Sequence, residues 1–422
     1  MKLPYWIACV MVVTIVHAEV APPPSKPLAL NEAWQLATEN SVKLKAAQAA
    51  VVAAEGQARD ASGLLWNNPE VSTERVRRQG PSNDPNSPTV REWQAGISQT
   101  LEIAGQQGYR REATRQELAS AQYRAQEIER EIRAEVESRF VRVLALQARI
   151  AIERDALTLI ENTASFAARR VTEGEDSKLD GNVAAIEAGR ARNQLGALSD
   201  QLLQARAELA ELLQWPATGL PEVVGDLEPT RGLPPLDQLL AAATERSQLK
   251  SLNARENAAR NRLYLERAAR FPDVTVGLGV GREGLAEARD KLTLLTVSVP
   301  LPLFKRNAGN VAQARADLTN AITERRAGER DIPANVRSLW QRHQNLATRV
   351  QTLRDTVLPA LEENQRLSST ALREGEISVA QQVLINRQLL DGRRDLIEAI
   401  AEWRSTQVAL LQAAGATDAA VR

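Results

Sequence analysis

Residues 292–314 read LTLLTVSVPLPLFKRNAGNVAQA, in which an alternating, strand-like run stops at two prolines and a helical run follows. Alternation of apolar and polar residues favours a half-buried strand, and Pro300 and Pro302 each lack the N–H group that a sheet requires. Earlier in the chain, residues 93–113 read WQAGISQTLEIAGQQGYRREA and pass from strand to helix at a glycine. The sequence therefore contains two copies of one strand-to-helix joint.

The repetition extends over both halves of the chain. ATENS at residues 37–41 matches ATERS at residues 243–247, and Gly174-Glu175 matches Gly375-Glu376. A repeat of this length predicts two large units, each with the order helix, β-hairpin, long helix, turn, helix. The predicted organisation is a signal peptide at 1–18, a Pro-rich leader at 19–29, a first repeat at 30–214, a Pro/Gly-rich link at 215–235, a second repeat at 236–415 and a C-terminal tail at 416–422.

The composition is typical of long helices and not of a bulky globular core. Hydrophobic residues make up 43% of the chain and aromatic residues only 4%, which suits helices rich in Ala, Leu, Arg and Glu. The 53 basic and 53 acidic residues are interspersed and give a net charge of zero, so no basic face indicates a nucleic-acid partner.

The first 18 residues, MKLPYWIACVMVVTIVHA, contain Lys2, an apolar run and a final small residue, Ala18. This pattern predicts a secretory signal peptide that is cleaved after Ala18. Cys9 follows Ala8 and suggests a lipoprotein as the alternative, but the apolar run continues beyond Cys9, which favours cleavage at Ala18.

Cleavage at Ala18 removes the cysteine and both methionines of the chain and leaves His343 as its one histidine. Disulfides, thiolate metal sites and Cys/His nucleophilic catalysis are thereby excluded. We expect His343 to be a surface or inter-helix residue. The sequence predicts no catalytic residue, no bound metal and no cofactor.

Two β-hairpins are predicted, with strands at 69–77 and 91–101 in the first repeat and between residues 272 and 302 in the second. In the second hairpin, apolar side chains occupy one face, and glycine, threonine and serine, together with Leu294, occupy the other. Strands of about ten residues with two such faces suit a membrane-spanning β-barrel, which has lipid outside and water inside. The predicted lipid-facing positions are Val274, Val276, Leu278, Val280, Val297 and Val299.

Four strands are too few to close a barrel, and open strand edges are not tolerated in lipid. We therefore expect several chains to share one barrel. The alternative is a half-buried sheet in a soluble protein, which has the same period of two.

Long helices are predicted beside the hairpins. A proline-free run at 106–170 would be close to 100 Å long at about 1.5 Å per residue. Further helices are predicted at 31–65, 178–213 and 237–269, and a second long helix at 310–373 precedes a last helix that ends at residue 413. Pro333 and Pro359 lie inside the second long helix and are expected to bend it.

Turns at 174–177 and 375–378 join the long helices to the helices that follow, and acidic residues concentrate there. In a symmetric oligomer each such residue becomes a ring, which favours cations and can gate a pore. The alternative is that these carboxylates only complement helix dipoles. The residues concerned are Glu173, Glu175, Asp176, Asp180, Glu374 and Glu376.

Residues 279–284, GVGREG, match the G-x-G-x-x-G dinucleotide pattern. The required helix does not follow, because the next residues are predicted to form a strand, and no acidic residue stands about twenty positions on. We interpret these glycines as small residues that face the lumen of the barrel.

These features together resemble the TolC-like outer-membrane efflux family over nearly the whole chain after the signal peptide. Residues 298–304, SVPLPLF, with RNAGN at 306–310, are similar to the strand-to-helix joint of the family's second repeat. Residues 98–105, SQTLEIAG, are similar to the first joint in the cobalt-zinc-cadmium resistance (CzcC-like) branch. The resemblance implies a mainly helical fold with a homotrimeric, twelve-stranded β-barrel in the outer membrane, continued by an α-helical barrel across the periplasm.

The resemblance also implies partners at the periplasmic end, namely an adaptor (membrane fusion) protein and an inner-membrane, proton-driven RND pump. The residues to which it assigns adaptor contact are Gly174, Glu175, Asp176, Ser177, Gly375, Glu376 and Ser378. Asp180 is a candidate for an acidic constriction, whereas Gln381 and Gln382 stand where the family often carries aspartates in its second repeat.

The sequence thus predicts a passive outer-membrane duct of a tripartite efflux system that exports divalent cations such as cobalt, zinc or cadmium. One alternative is the same duct serving drugs, other small molecules or peptides, because no soft ligands select metal. The alternative from another class is a periplasmic coiled-coil adaptor or scaffold, which would not require lipid-facing hairpins.

Overall fold

The computed structural model of the chain describes residues 27–78, 89–216, 219–228, 232–284 and 289–416. The predicted signal peptide with Ala18, nearly all of the predicted leader and residues 417–422 of the predicted tail lie outside these ranges. Most of the first hairpin loop also lies outside them.

The described residues form the same order of elements twice, which confirms the mainly helical fold with two repeats. The first repeat contains α1 (Leu30–Asn40), α2 (Val42–Ala61), β1 (Glu70–Arg78), β2 (Val90–Leu101), α3 (Gln106–Glu173) and α4 (Lys178–Leu213). The second contains α5 (Leu236–Thr244), α6 (Ser247–Ala268), β3 (Val274–Glu283), β4 (Asp290–Ser298), α7 (Ala308–Thr352), a π-helical segment (Leu353–Val357), α8 (Leu358–Glu374) and α9 (Val379–Ala414).

The first helix of each repeat is interrupted, so the prediction of single helices at 31–65 and 237–269 was wrong. Both breaks fall on the repeated ATENS and ATERS segments. Ser41 caps α2, because its hydroxyl oxygen accepts the backbone N–H of Leu44 at 3.2 Å. In the second repeat Arg246 stands at the break and donates to the carboxylate of Glu127 in α3 at 2.5 Å. On either side of the first break α1 and α2 both pack against α3, whereas at the second break α6 packs against α3 and α5 packs against α7 and α9.

The long helices have the predicted extent. At about 1.5 Å per residue the 68 residues of α3 span close to 100 Å, and a left-handed Gly174 ends the helix. The second long helix continues through Pro333, whereas a π-helical segment precedes Pro359. A proline has no N–H to donate to the carbonyl four residues earlier, so a wider turn at this point relieves the missing bond.

The four strands form one antiparallel sheet with the order β1-β2-β3-β4. In its central row Val71 stands opposite Ile97, Ile97 opposite Leu278, and Leu278 opposite Leu295. Within the described residues, β1 and β4 each have a neighbour on one side only. β4 ends at Ser298, so Val299, which we predicted to be a strand position, lies just beyond the sheet.

The buried residues are distributed along the helices in several clusters. The largest cluster joins α3, α4 and α9 to the link between the repeats, as shown by Phe140, Leu209, Ile400 and Val223. The link is held in place by a parallel bridge between Leu28 and Val223. A further cluster joins α5, α7 and α9, and another lies at the two turns between the long helices and their successors. This arrangement stabilises long, thin helical packing instead of a single globular core.

Candidate functional site

One face of the sheet carries large apolar side chains that the other described residues leave exposed, and we call it the outer face. Leu278, Leu295 and Val297 are 59%, 71% and 63% exposed. Val280 lies on the same face and is also exposed, whereas Val274 and Val276 are half-buried. A contiguous exposed apolar face of this kind marks a surface that contacts a membrane or another protein.

The opposite face of the sheet carries mostly small and polar residues, together with Leu292 and Leu294 of β4. The glycines of β3 allow close packing on this face: a Cβ atom on Gly281 would lie 2.9 Å from the carbonyl oxygen of Trp93, and one on Gly277 would lie 3.0 Å from Oγ1 of Thr296. The alternation of the strands therefore separates a mostly polar face from an apolar face.

The glycine pattern at 279–284 has no context for dinucleotide binding. Gly279 and Gly281 lie within β3, Gly284 follows the strand with φ of 109°, and the next element is the strand β4. A dinucleotide site needs a helix N-terminus at this point. These glycines therefore lie in a β-hairpin, and their position toward a lumen stays a prediction.

Exposed apolar residues continue from the sheet into the joints that connect it to the helices. Aromatic side chains occur at both ends of the sheet, as in the aromatic girdles that flank the apolar band of membrane barrels. Trp93 is 42% exposed on the outer face near the hairpin loops. The exposed apolar residues at the joints are Leu64, Leu65, Trp66, Ile103, Phe271, Val299, Leu301, Leu303 and Phe304.

At the other end of the molecule, the first turn has internally paired charges. Arg170 donates to the two carboxylate oxygens of Asp176 at 2.8 and 3.3 Å and lies 3.6 Å from Glu175. The bond to Asp176 raises the pKa of the Arg170 guanidinium above its usual range. Ser177 caps α4, accepting the N–H of Asp180 at 3.2 Å and donating its hydroxyl to the Asp180 carboxylate at 2.7 Å.

The second turn has the same backbone and different electrostatics. Gly375 ends α8 with φ of 75°, and Ser378 caps α9 by accepting the N–H of Gln381 at 3.2 Å. Arg373 donates to the Ser369 carbonyl at 3.1 Å, so it is held by its own helix and not by an acid. Among the described residues, neither Glu374 nor Glu376 forms a salt bridge, and both are exposed.

The two turns pack against each other within one protomer. The buried residues Ala167 of α3, Ala184 of α4, Leu372 of α8 and Val379 of α9 form one cluster. The residues to which adaptor contact was assigned therefore lie at one end of the molecule, far along α3 from the sheet. We refer to this end, with residues 173–180 and 374–378, as the tip.

Gln382 lies where the family often carries an aspartate, and its side chain is buried between helices of the chain. Its side chain is 2% exposed and donates to the Asn386 side-chain oxygen at 2.9 Å. Asn386 in turn donates to Oγ1 of Thr163 in α3 at 3.4 Å. These buried amides bind α9 to α3 inside the protomer, so the second repeat offers no counterpart to Asp180 at this position.

The described part of the chain contains no group of three or more His, Cys, Asp or Glu side chains that could hold a metal ion. His343 is 7% exposed and packs against Trp403 of α9 in a tilted arrangement, with ring centroids 5.6 Å apart and an interplanar angle of 39°. Of the two positions expected for His343, the structure shows the inter-helix one. Across the described residues, no helix combines the length and apolarity needed to cross a membrane.

Burial of His343 predicts a loss of stability in acid. Burial lowers the pKa of its imidazole, and neither ring nitrogen has a hydrogen-bond partner among the described residues. The unfolded chain therefore binds a proton near pH 6.5 that the folded chain resists, so stability falls as pH decreases through that value. We expect the melting temperature to drop between pH 7.5 and 5.5 by clearly more in the natural chain than in His343→Leu. Equal drops would show that His343 is not responsible.

The sequence analysis did not identify the charged part of the outer face, which lies level with Trp93 and beyond it toward the hairpin loops. Arg75 and Arg77 alternate with Glu74, Val76 and Arg78, so the period of two places both arginines on the apolar face. The same rule that located the valines could have located these cations.

The chain matches the family model described as outer membrane efflux protein over residues 33–213 and 239–416. Cobalt-zinc-cadmium resistance protein CzcC of Cupriavidus metallidurans is 28% identical over 397 residues, which are 93% of this chain and 89% of that protein. Nickel and cobalt resistance protein CnrC of the same organism is 27% identical over 311 residues, or 73% of this chain and 71% of that protein.

Solved structures share the fold at lower sequence identity. CusC superimposes with a TM-score of 0.77 at 18% identity, over 92% of each chain. The outer membrane protein VceC from Vibrio cholerae superimposes with a TM-score of 0.76 at 16% identity, over 92% of this chain and 96% of VceC. At these identities the likeness establishes the fold alone.

Proposed function

We propose that this chain, which belongs to the outer membrane efflux protein family, forms the homotrimeric outer-membrane duct of a tripartite efflux system for divalent metal cations. Membership in the family makes the chain an efflux channel of the outer membrane and confirms that it is not an enzyme. Our proposal adds four features to family membership: the trimer, the adaptor, the proton-driven pump and the metal cargo.

The observation that carries the proposal is the unclosed sheet. It has four strands, exposed apolar residues on one face, and an unpaired outer edge on both β1 and β4 among the described residues. Unpaired N–H and C=O groups are too costly in lipid, so the edges must pair with other chains. Pairing of β4 with β1 of a neighbour, repeated three times, gives a closed barrel of twelve strands whose apolar face meets lipid.

Metal cargo is supported by the relatives, which are named for resistance to cobalt, zinc, cadmium and nickel. The described residues offer no cluster of metal-binding side chains by which the duct could distinguish one metal cation from another. Choice of metal therefore rests with the pump. The duct needs only a water-filled path, and its energy comes from the proton-driven partner.

Metal export is tested in a host that retains the cognate pump and adaptor and lacks this chain. We expect the chain to restore growth in cobalt, zinc or cadmium and to lower the metal content of the cells. Restored resistance to organic toxicants alone, with unchanged metal content, would assign the duct to a different cargo.

The tip is the proposed docking site for the adaptor. Its second turn supplies two exposed carboxylates, those of Glu374 and Glu376, for contact with the adaptor. We expect Glu374→Lys with Glu376→Lys to weaken adaptor binding at least about tenfold, because each exposed carboxylate is free for a partner and reversal turns attraction into repulsion. The measurement is adaptor capture by the purified trimer. Glu39→Lys, an exposed glutamate at the end of α1, is the matched control. Unchanged capture in the double variant would remove the second turn from the docking site.

Asp180 is the proposed acidic constriction of the first repeat. Its carboxylate accepts the Ser177 hydroxyl at 2.7 Å, which fixes its position at the start of α4. Three copies at the tip would form a ring that attracts cations. The proposal predicts that Asp180→Asn lowers the preference of the open duct for cations over anions.

A further inference from the structure

The outer face of the sheet changes from apolar to basic toward the hairpin loops. Five exposed cations lie on this face, two in β1 and one in each other strand. We call them the basic belt: Arg75, Arg77, Arg91, Arg282 and Lys291. Side chains two positions apart in a strand lie on the same face. Each of these cations lies an even number of positions along its strand from a residue of the central row, which contains Val71, Ile97, Leu278 and Leu295, so all five share that face.

Like charges stand directly opposite each other in the belt. Arg77 is the register partner of Arg91, and Arg282 is the register partner of Lys291. Side chains in such pairs start about 5 Å apart, and like charges in this position destabilise a sheet. The two pairs are offset by two residues, because Arg282 is the register partner of Trp93 and Arg91 lies two residues beyond Trp93 in β2. Two neighbouring like-charge pairs favour the presence of an anion between them.

The opposite face at the same level is already neutralised within the protomer. Arg78 lies 3.2 Å from a carboxylate oxygen of Glu92 and 3.4 Å from one of Glu283. By contrast, none of the five belt cations forms a salt bridge with a carboxylate of the described residues. Within the described residues, carboxylates pair with the cation of the opposite face and with none of the cations of the outer face.

The position of the belt defines which part of a membrane it would meet. Along the outer face, Arg77 and Arg91 lie beyond Trp93, which lies beyond the apolar row of Ile97 and Leu278. The helices leave the sheet at its other end, so the belt lies at the end of the barrel that is remote from the periplasm. In a trimer the belt is repeated three times around the circumference at the level of the outer-leaflet headgroups.

We propose that the basic belt binds the phosphate groups of the phosphorylated glycolipid, lipopolysaccharide, that forms the outer leaflet of the outer membrane. This inference rests on the proposed outer-membrane trimer. Arginine binds phosphate through two parallel N–H bonds, and the paired cations match a lipid that carries more than one phosphate per molecule. The lipid supplies the counter-charge that the outer face lacks, and it fixes the depth and tilt of the barrel.

The test uses the purified full-length trimer in detergent and native mass spectrometry. Diphosphoryl lipid A, monophosphoryl lipid A and phosphatidylglycerol are added separately. Arg77→Gln with Arg91→Gln removes one like-charge pair, and Arg282→Gln with Lys291→Gln removes the other on the second hairpin. Arg78→Gln is the matched control, because it removes the same charge at the same level from the opposite face.

We expect diphosphoryl lipid A to bind most tightly and each double variant to bind it about 25-fold more weakly, since each basic residue contributes about fivefold. Arg78→Gln should bind like the natural chain. Equal binding in all variants would overturn the inference, as would equal binding of phosphatidylglycerol, which would indicate general attraction of anionic lipid. A trimer that binds no lipid A refutes the belt alone, whereas a chain that forms no trimer refutes the proposed function with it.

Discussion

Leu295→Arg is expected to prevent formation of the trimer, whereas Thr296→Arg is expected to leave its yield nearly unchanged. The two residues are neighbours in β4, and their side chains lie on opposite faces of the sheet. Leu295 is 71% exposed in the protomer and stands in the central apolar row, opposite Leu278. The pair therefore differs only in the face that receives the charge.

The expected size of this effect follows from the cost of charge in lipid. An arginine that faces lipid near the middle of a bilayer costs about 2 to 4 kcal/mol, and a trimer incurs this cost three times. A charge on the lumen side meets water and costs little. The measurement is the amount of trimer extracted from the outer membrane by detergent, and Leu278→Arg repeats the test in β3. Equal loss for Thr296→Arg would show that β4 tolerates no charge on either face and would refute the assignment of the lipid side.

Arg394→Met is expected to lower the stability of the helical part by about 3 kcal/mol or more. Glu153 of α3 is 1% exposed, and its carboxylate accepts two bonds from Arg394 of α9, of which the one from Nη2 is 2.7 Å long. Removal of the arginine leaves a buried carboxylate without a partner. Loss of the cation that α9 supplies weakens the contact between α3 and α9, which connect the core to the tip.

The helical circular dichroism of the purified protein on heating measures this effect. We expect Arg394→Met to melt at least about 5 °C below the natural chain. Arg393→Met is the matched control, because its side chain pairs at 2.9 Å with Glu362, which is half exposed. The double variant Glu153→Met with Arg394→Met should recover most of the loss, since no charge is then left buried. A double variant as unstable as Arg394→Met would show that packing and not charge determines the effect.

Much of the fold follows from the sequence because its signals are local. The period of two in the strands predicted both hairpins. Gly174 and Ser177 predicted the turn after α3 and the start of α4 at Lys178. Capping residues and glycines with positive φ act within a few residues of one another, so a single sequence is sufficient to recognise them.

The break in the second repeat and the burial of Gln382 could not be read in the same way, because both involve contacts between residues that are distant in sequence. At this break Arg246 donates to Glu127, 119 residues away in sequence. The family resemblance placed Gln382 at a position that often carries an aspartate, whereas its burial depends on Asn386 and on Thr163 of another helix. Neither contact leaves a trace in local composition.

The outer face shows how far periodicity can be extended. Alternation separated the valines of β3 from its glycines, and the register of the sheet agrees with that separation. The same period of two places Arg75 and Arg77 of β1 on the apolar face, where charged side chains are not expected in a membrane-spanning strand. Arg75 lies level with Trp93 and Arg77 lies beyond it, so both arginines lie toward the hairpin loops, where the proposed basic belt would meet lipid headgroups.

The central claim is that several copies of this chain close one barrel and conduct ions through it. The most direct test is single-channel conductance of the purified chain in a planar bilayer, with its mass measured in detergent. We expect a trimer with discrete, ion-conducting openings. A monomer that inserts without conductance would contradict it, because four strands with two open edges would then exist in lipid unpaired.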